Sequence, residues 1–358
     1  MCKIYNTVGS LTTLKSELDR NKISDFKSLK EVMVFQDSYP NHIQQLISHH
    51  KNLIEQEKEI LSTDLPQLKM AIDIQKQEKS QVLTIEINQL KEQLNISKGN
   101  TSKNIFKKIR CAFKNWGYVK TIKFKEHNFE QEVEMSIGNL VQDYRIKNNR
   151  SQFINSYFNE AVKRSASGVL KELERKKTVI DGLNNYIYGA IGEQKVVKTL
   201  GALNDDYFLI NDFDVSFSKA IYNRHENDYI KSVQIDHVLV GPSGIFLIET
   251  KNWSEKSIEN LNLRSPVQQI KRTSFALFYL LNSDRSSYQL HLDNHHWGDK
   301  KISIKNLIVL TTAKPKGEFQ HVKILTLNEL LSYVKYFKPV YSSAETKRIA
   351  EMILWINK

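Results

Sequence analysis

Residues 234–253 read QIDHVLVGPSGIFLIETKNW, two apolar segments joined by the sequence GPSG at Gly241–Gly244. Short apolar runs on either side of a Gly- and Pro-containing turn are typical of two buried β-strands that form a hairpin. The same stretch places Asp236, Glu249 and Lys251 on these strands. A charged side chain in a covered sheet needs a partner, so this pattern predicts a polar site within an otherwise apolar fold.

Pairing across the turn determines which charged residues meet. With Pro242 and Ser243 at the centre of the turn, Asp236 lies opposite Glu249, because 236 and 249 sum to 485, as do 241 and 244. Directly opposed residues have β-carbons about 5 Å apart, where two carboxylates repel unless a cation or a shared proton lies between them. A three-residue loop would change the register and separate the pair.

Alternation along the strands assigns their side chains to two faces. The expected polar face carries Gln234, Asp236, Glu249 and Lys251. The expected apolar face carries Ile235, Leu239, Phe246 and Ile248. Two carboxylates beside an ammonium group suit a hard divalent cation, which prefers oxygen ligands. The alternative is a surface ion pair on an open sheet, but apolar residues flank the charges on both strands, which favours a covered sheet.

The sequence after Leu183 alternates between helical and strand patterns. Further strand patterns are YFLIND, KISIKNLIVLTT and VKILT, and amphipathic helical patterns precede, separate and follow them. Such alternation predicts an α/β (α+β) domain with a mixed central sheet. We place this domain at residues 181–358.

The N-terminal region has a helical pattern instead. No glycine occurs between Gly9 and Gly99, and apolar residues recur at helical spacing from Ile43 to Ile96. This predicts a partly coiled-coil, all-α region over residues 1–96. Pro66 favours two helices folded as a hairpin over one long rod, and both remain open. In either case, we expect these helices to mediate homo-oligomerisation or to sense a partner.

Most of the net charge of +12 lies in one segment. Nine basic and no acidic residues occur from Ser97 to Lys125, so the rest of the chain has a net charge of only +3. Apolar residues interleave with the basic ones, which predicts a basic amphipathic helix in a helical segment over residues 97–180. Such a helix binds nucleic-acid phosphates, lies on an anionic membrane surface, or exposes its lysines to water. The residues we assign to nucleic-acid binding are Lys103, Lys107, Lys108, Arg110 and Lys114.

Cysteine usage and hydropathy indicate the compartment. Cys2 and Cys111 are the only cysteines, and they form neither a disulfide framework nor a zinc motif. The N-terminus has no apolar signal segment, and no apolar stretch reaches the roughly 18 residues of a membrane-spanning helix. We therefore expect a soluble, cytoplasmic protein.

Three motifs in this order resemble the nuclease-related domain (NERD) family, a branch of the PD-(D/E)XK restriction-endonuclease-like superfamily. They are GAIGEQ at residues 189–194, the hairpin at 234–253, and SPVQQIKR at 265–272. The resemblance covers about a third of the chain, roughly residues 183–315. It implies a restriction-endonuclease-like core and a metal-dependent phosphodiesterase.

The resemblance also implies a role for each matching residue. Asp236 and Glu249 would bind Mg²⁺ or Mn²⁺, with the Thr250 carbonyl a further ligand and Glu193 completing the acidic site directly or through water. Lys251 would orient the attacking water and stabilise charge on the phosphate. Gln268 would assist from the following helix.

Two functions follow as competing hypotheses. The first is a nuclease that acts on DNA in preference to RNA, by analogy in DNA processing or in bacterial defence against foreign DNA. The alternative is a catalytically inactive nucleic-acid-binding or scaffolding protein built on the same fold. The presence of Asp236, Glu249 and Lys251 favours the nuclease, and a third possibility is that the basic helix locates it at a membrane surface.

Overall fold

The computed structural model describes residues 1–99, 105–224, 226–252, 264–282, 301–312 and 319–357. Contacts divide the chain into two compact units, residues 1–37 with 175–358, and residues 38–174. The first unit therefore contains the N-terminal 37 residues together with the C-terminal half of the chain. The sequence pattern instead predicted that these 37 residues belong to a helical region over residues 1–96.

A mixed six-stranded sheet forms the centre of the first unit as far as it is described. Its strands, in spatial and chain order, are β1 (Lys3–Tyr5), β2 (Phe208–Asn223), β3 (Asp228–Gly241), β4 (Gly244–Lys251), β5 (Ile304–Leu310) and β6 (Lys323–Thr326). β2, β3 and β4 are antiparallel neighbours, and the other adjacent pairs are parallel. The predicted α+β fold with a mixed sheet is confirmed, while β1 was not predicted.

The helices within the described residues are α1 (Gly9–Arg20), α2 (Leu29–Gly99), α3 (Ile105–His127), α4 (Phe129–Ser156), α5 (Phe158–Gly182), α6 (Asn184–Leu200), α7 (Arg264–Asn282), α8 (Leu327–Tyr336) and α9 (Ser343–Ile356). In the first unit, α6 and α8 pack on one face of the sheet, and α7 and α9 pack on the other. The sheet is thus covered on both faces, which explains the apolar composition of β3 and β4.

Two clusters of buried apolar side chains fill the two sides of the sheet. Leu239, Phe246 and Ile248 pack together with α6 and α8, as alternation predicts. Ile235 was expected beside them but packs in the other cluster with Val238. The prediction for Ile235 is wrong because the alternation changes phase between Ile235 and Val238, where β3 stops pairing with β4 and where Asp212 of the neighbouring β2 has a φ of 51°.

The second unit is an antiparallel helical hairpin in which α2 packs against α3, α4 and α5. Ion pairs join Glu86 of α2 to Lys125 of α3 at 2.5 Å, and Asp64 of α2 to Lys147 of α4 at 3.0 Å. The helices that follow α2 therefore run antiparallel to it. α2 continues through Pro66 as one helix. The alternative in which α2 breaks at this proline is therefore wrong, since contacts on both sides of it hold the helix together.

This helical hairpin buries part of the apolar stripe that predicted oligomerisation. Ile54 and Leu61 of α2 pack with Ile154 of α4, and Ile87 and Leu94 of α2 pack around α3. A partner within the same chain thus accounts for the coiled-coil pattern, and the pattern no longer supports a homo-oligomer. No described helix combines the length with the apolar composition that a membrane crossing requires.

Candidate active site

The β3–β4 hairpin has the predicted register. Residues Pro242 and Ser243 form the turn, and paired residues run from Gly241 with Gly244 to His237 with Ile248. Asp236 and Glu249 are the next residues on the two strands, directly beyond the last pair. The Asp236 carboxylate accepts a hydrogen bond from the backbone N–H of Thr250 at 2.6 Å, which ties the end of β3 to β4.

Three charged side chains of this hairpin form a compact cluster. Glu249 is only 2% exposed, and its Oε1 accepts a hydrogen bond from Lys251 Nζ at 2.7 Å. Lys251 keeps about a quarter of its side chain exposed, at 25%. Asp236 is partly buried, and the charges of Glu249 and Lys251 act on it. The cluster is therefore a pair of carboxylates with one cation, closed towards the core and open towards solvent at the lysine.

Glu193 extends the cluster from α6, where it is 5% exposed. The glycine before it allows α6 to approach β4, because a β-carbon on Gly192 would lie 2.8 Å from Cβ of Asn252 and 3.3 Å from Cγ2 of Thr250. Asn252 also donates to the carbonyl of Tyr188 in α6 at 2.8 Å. The motif GAIGEQ thus places its glutamate beside the hairpin because small residues precede it.

The carboxylates of the cluster have unusual electrostatics. Burial raises the pKa of Asp236 well above its ordinary value, and the charges of Glu249 and Glu193 raise it further. Burial likewise raises the pKa of Glu249 and of Glu193. For Lys251, burial lowers the pKa, but Glu249 and Asp236 outweigh it and the net pKa is raised. The cluster has three carboxyl groups and one ammonium group, so Lys251 alone does not balance the charge of the ionised carboxylates.

One carboxylate oxygen of the cluster has no partner. Glu249 Oε2 is buried and has no hydrogen-bond partner among the described residues. An orphaned carboxylate oxygen near a second carboxylate is compatible with a hard divalent ion, which prefers oxygen ligands. No group of three or more His, Cys, Asp or Glu side chains in the described ranges is arranged to hold an ion. The described carboxylates would therefore be a partial ligand set, of the kind that a divalent cation completes with water and substrate phosphate.

The other predicted site residues, Thr250 and Gln268, lie in different environments. Thr250 lies between Glu249 and Lys251 and is 7% exposed. Gln268 is exposed on α7, and no contact joins it to the cluster in the described part of the chain. Its neighbour Gln269 donates instead to the Gln234 carbonyl at 3.4 Å. The role of Gln268 therefore stays a prediction.

His237 follows Asp236 on β3 but does not belong to the cluster. Its ring is fully buried, and Nδ1 lies 2.8 Å from Oδ1 of Asn211. Burial lowers the pKa of His237 to about 3, so the ring is neutral at physiological pH. Two adjacent histidines in the sequence, His295 and His296, lie outside the described residues.

Two residues near the cluster were not expected from the sequence. Ser10, in the first turn of α1, donates to Glu193 through its hydroxyl and through its backbone N–H. Asp212 of β2 adds negative charge that raises the pKa of Glu193, and it accepts from Gln234 at 3.2 Å. Neither has a recognisable motif, because their position depends on how distant segments pack.

This mixed sheet is covered on both faces and carries two carboxylates and a lysine on two adjacent strands. Residues 188–311 match the family model described as nuclease-related domain (NERD). This part of the chain is thus a nuclease-related domain, with which membership of the PD-(D/E)XK superfamily is consistent. No curated protein and no solved structure matches the chain.

Proposed function

We propose that the first unit is a metal-dependent nuclease that hydrolyses phosphodiester bonds in DNA. The observation that carries the proposal is the buried Glu249 with an orphaned oxygen, near the partly buried Asp236 and with Lys251 at the open side, inside a nuclease-related domain. Neighbouring carboxylates shielded from water are unfavourable for folding, and such groups cluster at functional sites.

The carboxylates of the cluster are the proposed ligands of the cation. Asp236 and Glu249 would hold Mg²⁺ or Mn²⁺, with the Thr250 carbonyl as a further ligand and Glu193 acting directly or through water. When bound, a divalent cation lowers the pKa of its water and neutralises charge that develops on the phosphate.

Lys251 is the proposed cationic residue at the open side of the site. Glu249 holds its ammonium group at 2.7 Å, and the net pKa is raised, so the lysine is protonated at physiological pH. A fixed ammonium group there orients the attacking water and stabilises the charge on the phosphate oxygens. Gln268 is proposed to assist from the exposed surface of α7.

The test is a cleavage assay on the purified full chain. Supercoiled plasmid, linear duplex, single-stranded DNA and RNA are each incubated with Mg²⁺, Mn²⁺ or EDTA. We expect metal-dependent cutting of DNA that is lost in Asp236→Asn and retained in Asp214→Asn, which makes the same chemical change at an exposed position of the same sheet. An absence of cutting of all four polymers, with nucleic-acid binding unchanged in both variants, would instead favour the inactive binding protein.

The basic face of α3 is the proposed contact with nucleic acid outside the cluster. Lys107, Lys108, Arg110 and Lys114 are all exposed, while Lys103 lies outside the described residues. Large apolar side chains interleave with them, with Phe113 being 72% exposed. Four cations along one helix can neutralise several phosphates, which releases counterions and makes binding dependent on salt.

Replacing these four basic residues with glutamine is expected to weaken DNA binding and to flatten its salt dependence. The slope of log K against log salt should change by about 0.9 for each phosphate that the protein no longer neutralises. The matched control replaces four exposed lysines of α2, namely Lys51, Lys58, Lys69 and Lys76. Equal slopes in the two variants would contradict the assignment. Binding to vesicles of anionic lipid, but not to DNA, would reassign the face to a membrane surface.

The cellular setting is proposed only by analogy with other nucleases. DNA processing and defence against foreign DNA each require a nuclease whose activity is restrained in its own cell. The predicted cytoplasmic location stays a prediction.

A further inference from the structure

Ser10 binds both oxygens of the Glu193 carboxylate. Its hydroxyl donates to Oε1, and its backbone N–H donates to Oε2 with an N–O distance of 3.3 Å. The backbone donor belongs to the first turn of α1, where free N–H groups and the helix dipole favour a negative charge. These hydrogen bonds lower the pKa of Glu193 against the larger effect of burial. One residue thus orients the side chain and favours its charged form.

Backbone pairing holds the segment that carries Ser10. β1 pairs in parallel with β2, and the N–H of Cys2 donates to the Leu203 carbonyl at 2.8 Å. Asn6 and Asn211 each donate from their side-chain amide to the backbone carbonyl of the other, at 3.3 and 3.0 Å. β1 is therefore an integral part of the sheet, and it fixes the segment that leads into α1.

The approach of α1 to α6 is as close as glycine permits. A β-carbon on Gly189 would lie 2.5 Å from Ser10 Oγ, and one on Gly9 would lie 2.5 Å from Asp212 Oδ1. Real β-carbons do not come this close to another heavy atom, so a larger residue at either position would displace a neighbour. Gly189 belongs to the same motif as Glu193, one helical turn earlier. The first glycine of GAIGEQ thus makes room for the serine that binds its glutamate.

We propose that Ser10 is a positioning residue of the nuclease site and that the segment from β1 to the start of α1 completes this site. The inference rests on the proposed function. Ser10 lies well before residues 188–311, the range that matches the nuclease-related domain. Without its two donors, the buried Glu193 carboxylate loses its orientation, and its contribution to cation binding weakens.

The experiment compares Ser10→Ala with Ser16→Ala in the full chain. Ser16 is exposed on the same helix, so both variants lose one hydroxyl from α1. Mn²⁺ affinity is measured by calorimetry without DNA, and kcat and KM are measured on DNA. Since partners of metal-binding side chains typically contribute 10- to 100-fold, we expect about that loss in Mn²⁺ affinity and in kcat for Ser10→Ala alone. KM for DNA should not change, because Ser10 does not contact the substrate.

A double-mutant cycle with Glu193→Ala tests whether Ser10 acts through Glu193. In the Glu193→Ala background, Ser10→Ala should cause no further loss of Mn²⁺ affinity. A further loss of the full size would overturn the inference, as would a loss of the folded state in thermal unfolding of Ser10→Ala.

The inference and the proposed function fail in different ways. If Ser10→Ala matches Ser16→Ala in Mn²⁺ affinity and kcat while Asp236→Asn is inactive, the inference is overturned and the nuclease stands. If the unmodified chain neither binds Mn²⁺ nor cleaves any polymer, both are overturned.

Discussion

Asp236→Asn is expected to abolish DNA cleavage and, at the same time, to stabilise the metal-free protein. The substitution removes a proposed cation ligand, for which we expect a loss of at least about 1,000-fold in kcat, as is typical when a preorganised charge is removed. It also removes a charge that repels Glu249 and Glu193. Asparagine keeps an oxygen that can accept from the Thr250 N–H, so the hairpin stays intact. The expected gain is about 1 kcal/mol in the free energy of unfolding.

The pH dependence of unfolding checks the physical reason. The pKa of Asp236 is raised in the folded protein, so the folded state holds its proton more strongly than the unfolded state. This contribution to stability is fully present below the unfolded pKa and is lost as pH rises through the folded pKa. The metal-free protein should therefore be less stable at about pH 8 than at about pH 5, and Asp236→Asn should lose less over this range.

Thermal unfolding in EDTA at the two pH values, with Asp214→Asn as the control, measures both effects. Mg²⁺ or Mn²⁺ should restore the stability of the unmodified protein at the higher pH and should have little effect on Asp236→Asn. A variant that is inactive and also clearly less stable would argue that Asp236 serves the fold instead of a cation.

Lys251→Met is expected to lose cleavage as well, but with the opposite effect on stability. Methionine retains much of the length of the lysine and removes the charge that compensates Glu249. Removing one partner of a buried ion pair leaves the other uncompensated, which destabilises by roughly 3–5 kcal/mol for a fully buried pair. Since a quarter of the Lys251 side chain is exposed, at 25%, and the carboxylates can protonate, we expect about 2–4 kcal/mol.

The matched control is Lys231→Met, at an exposed position on β3. Chemical denaturation gives the free energies of unfolding, and the plasmid assay gives the rates, which we expect to fall by about 100-fold or more for Lys251→Met. Full activity in Lys251→Met would remove the lysine from the site, and unchanged stability would show that Glu249 is already neutral in the folded protein.

The hairpin at the centre of the site was predictable because its information is local. The two-residue turn at Pro242 and Ser243 sets the register, which runs as predicted to His237 with Ile248 and brings Asp236 and Glu249 to the end of the paired segment. The mixed sheet followed from the same alternation of strand and helix patterns. Alternation was wrong for Ile235, since it assumes a regular strand and the alternation changes phase between Ile235 and Val238, where β3 stops pairing with β4.

The helical region shows what a periodic pattern leaves open. The apolar residues from Ile43 to Ile96 predict a coiled coil whether the partner belongs to another molecule or to the same chain. The structure selects the second, because α3, α4 and α5 return along α2 and bury the stripe. Pro66 was expected to favour a break, but its local unfavourable effect is small against packing along the whole helix.

By itself, the sequence indicated the nuclease-related domain that residues 188–311 match, the mixed sheet and the two-residue turn that sets the register of β3 and β4, because each depends on residues close together along the chain. Only the tertiary structure decided that β1 completes the sheet and that Ser10 binds Glu193. The serine and the glutamate are separated by 183 positions in the sequence. No local pattern encodes such an interaction, since it forms only when the complementary surfaces of α1 and α6 pack.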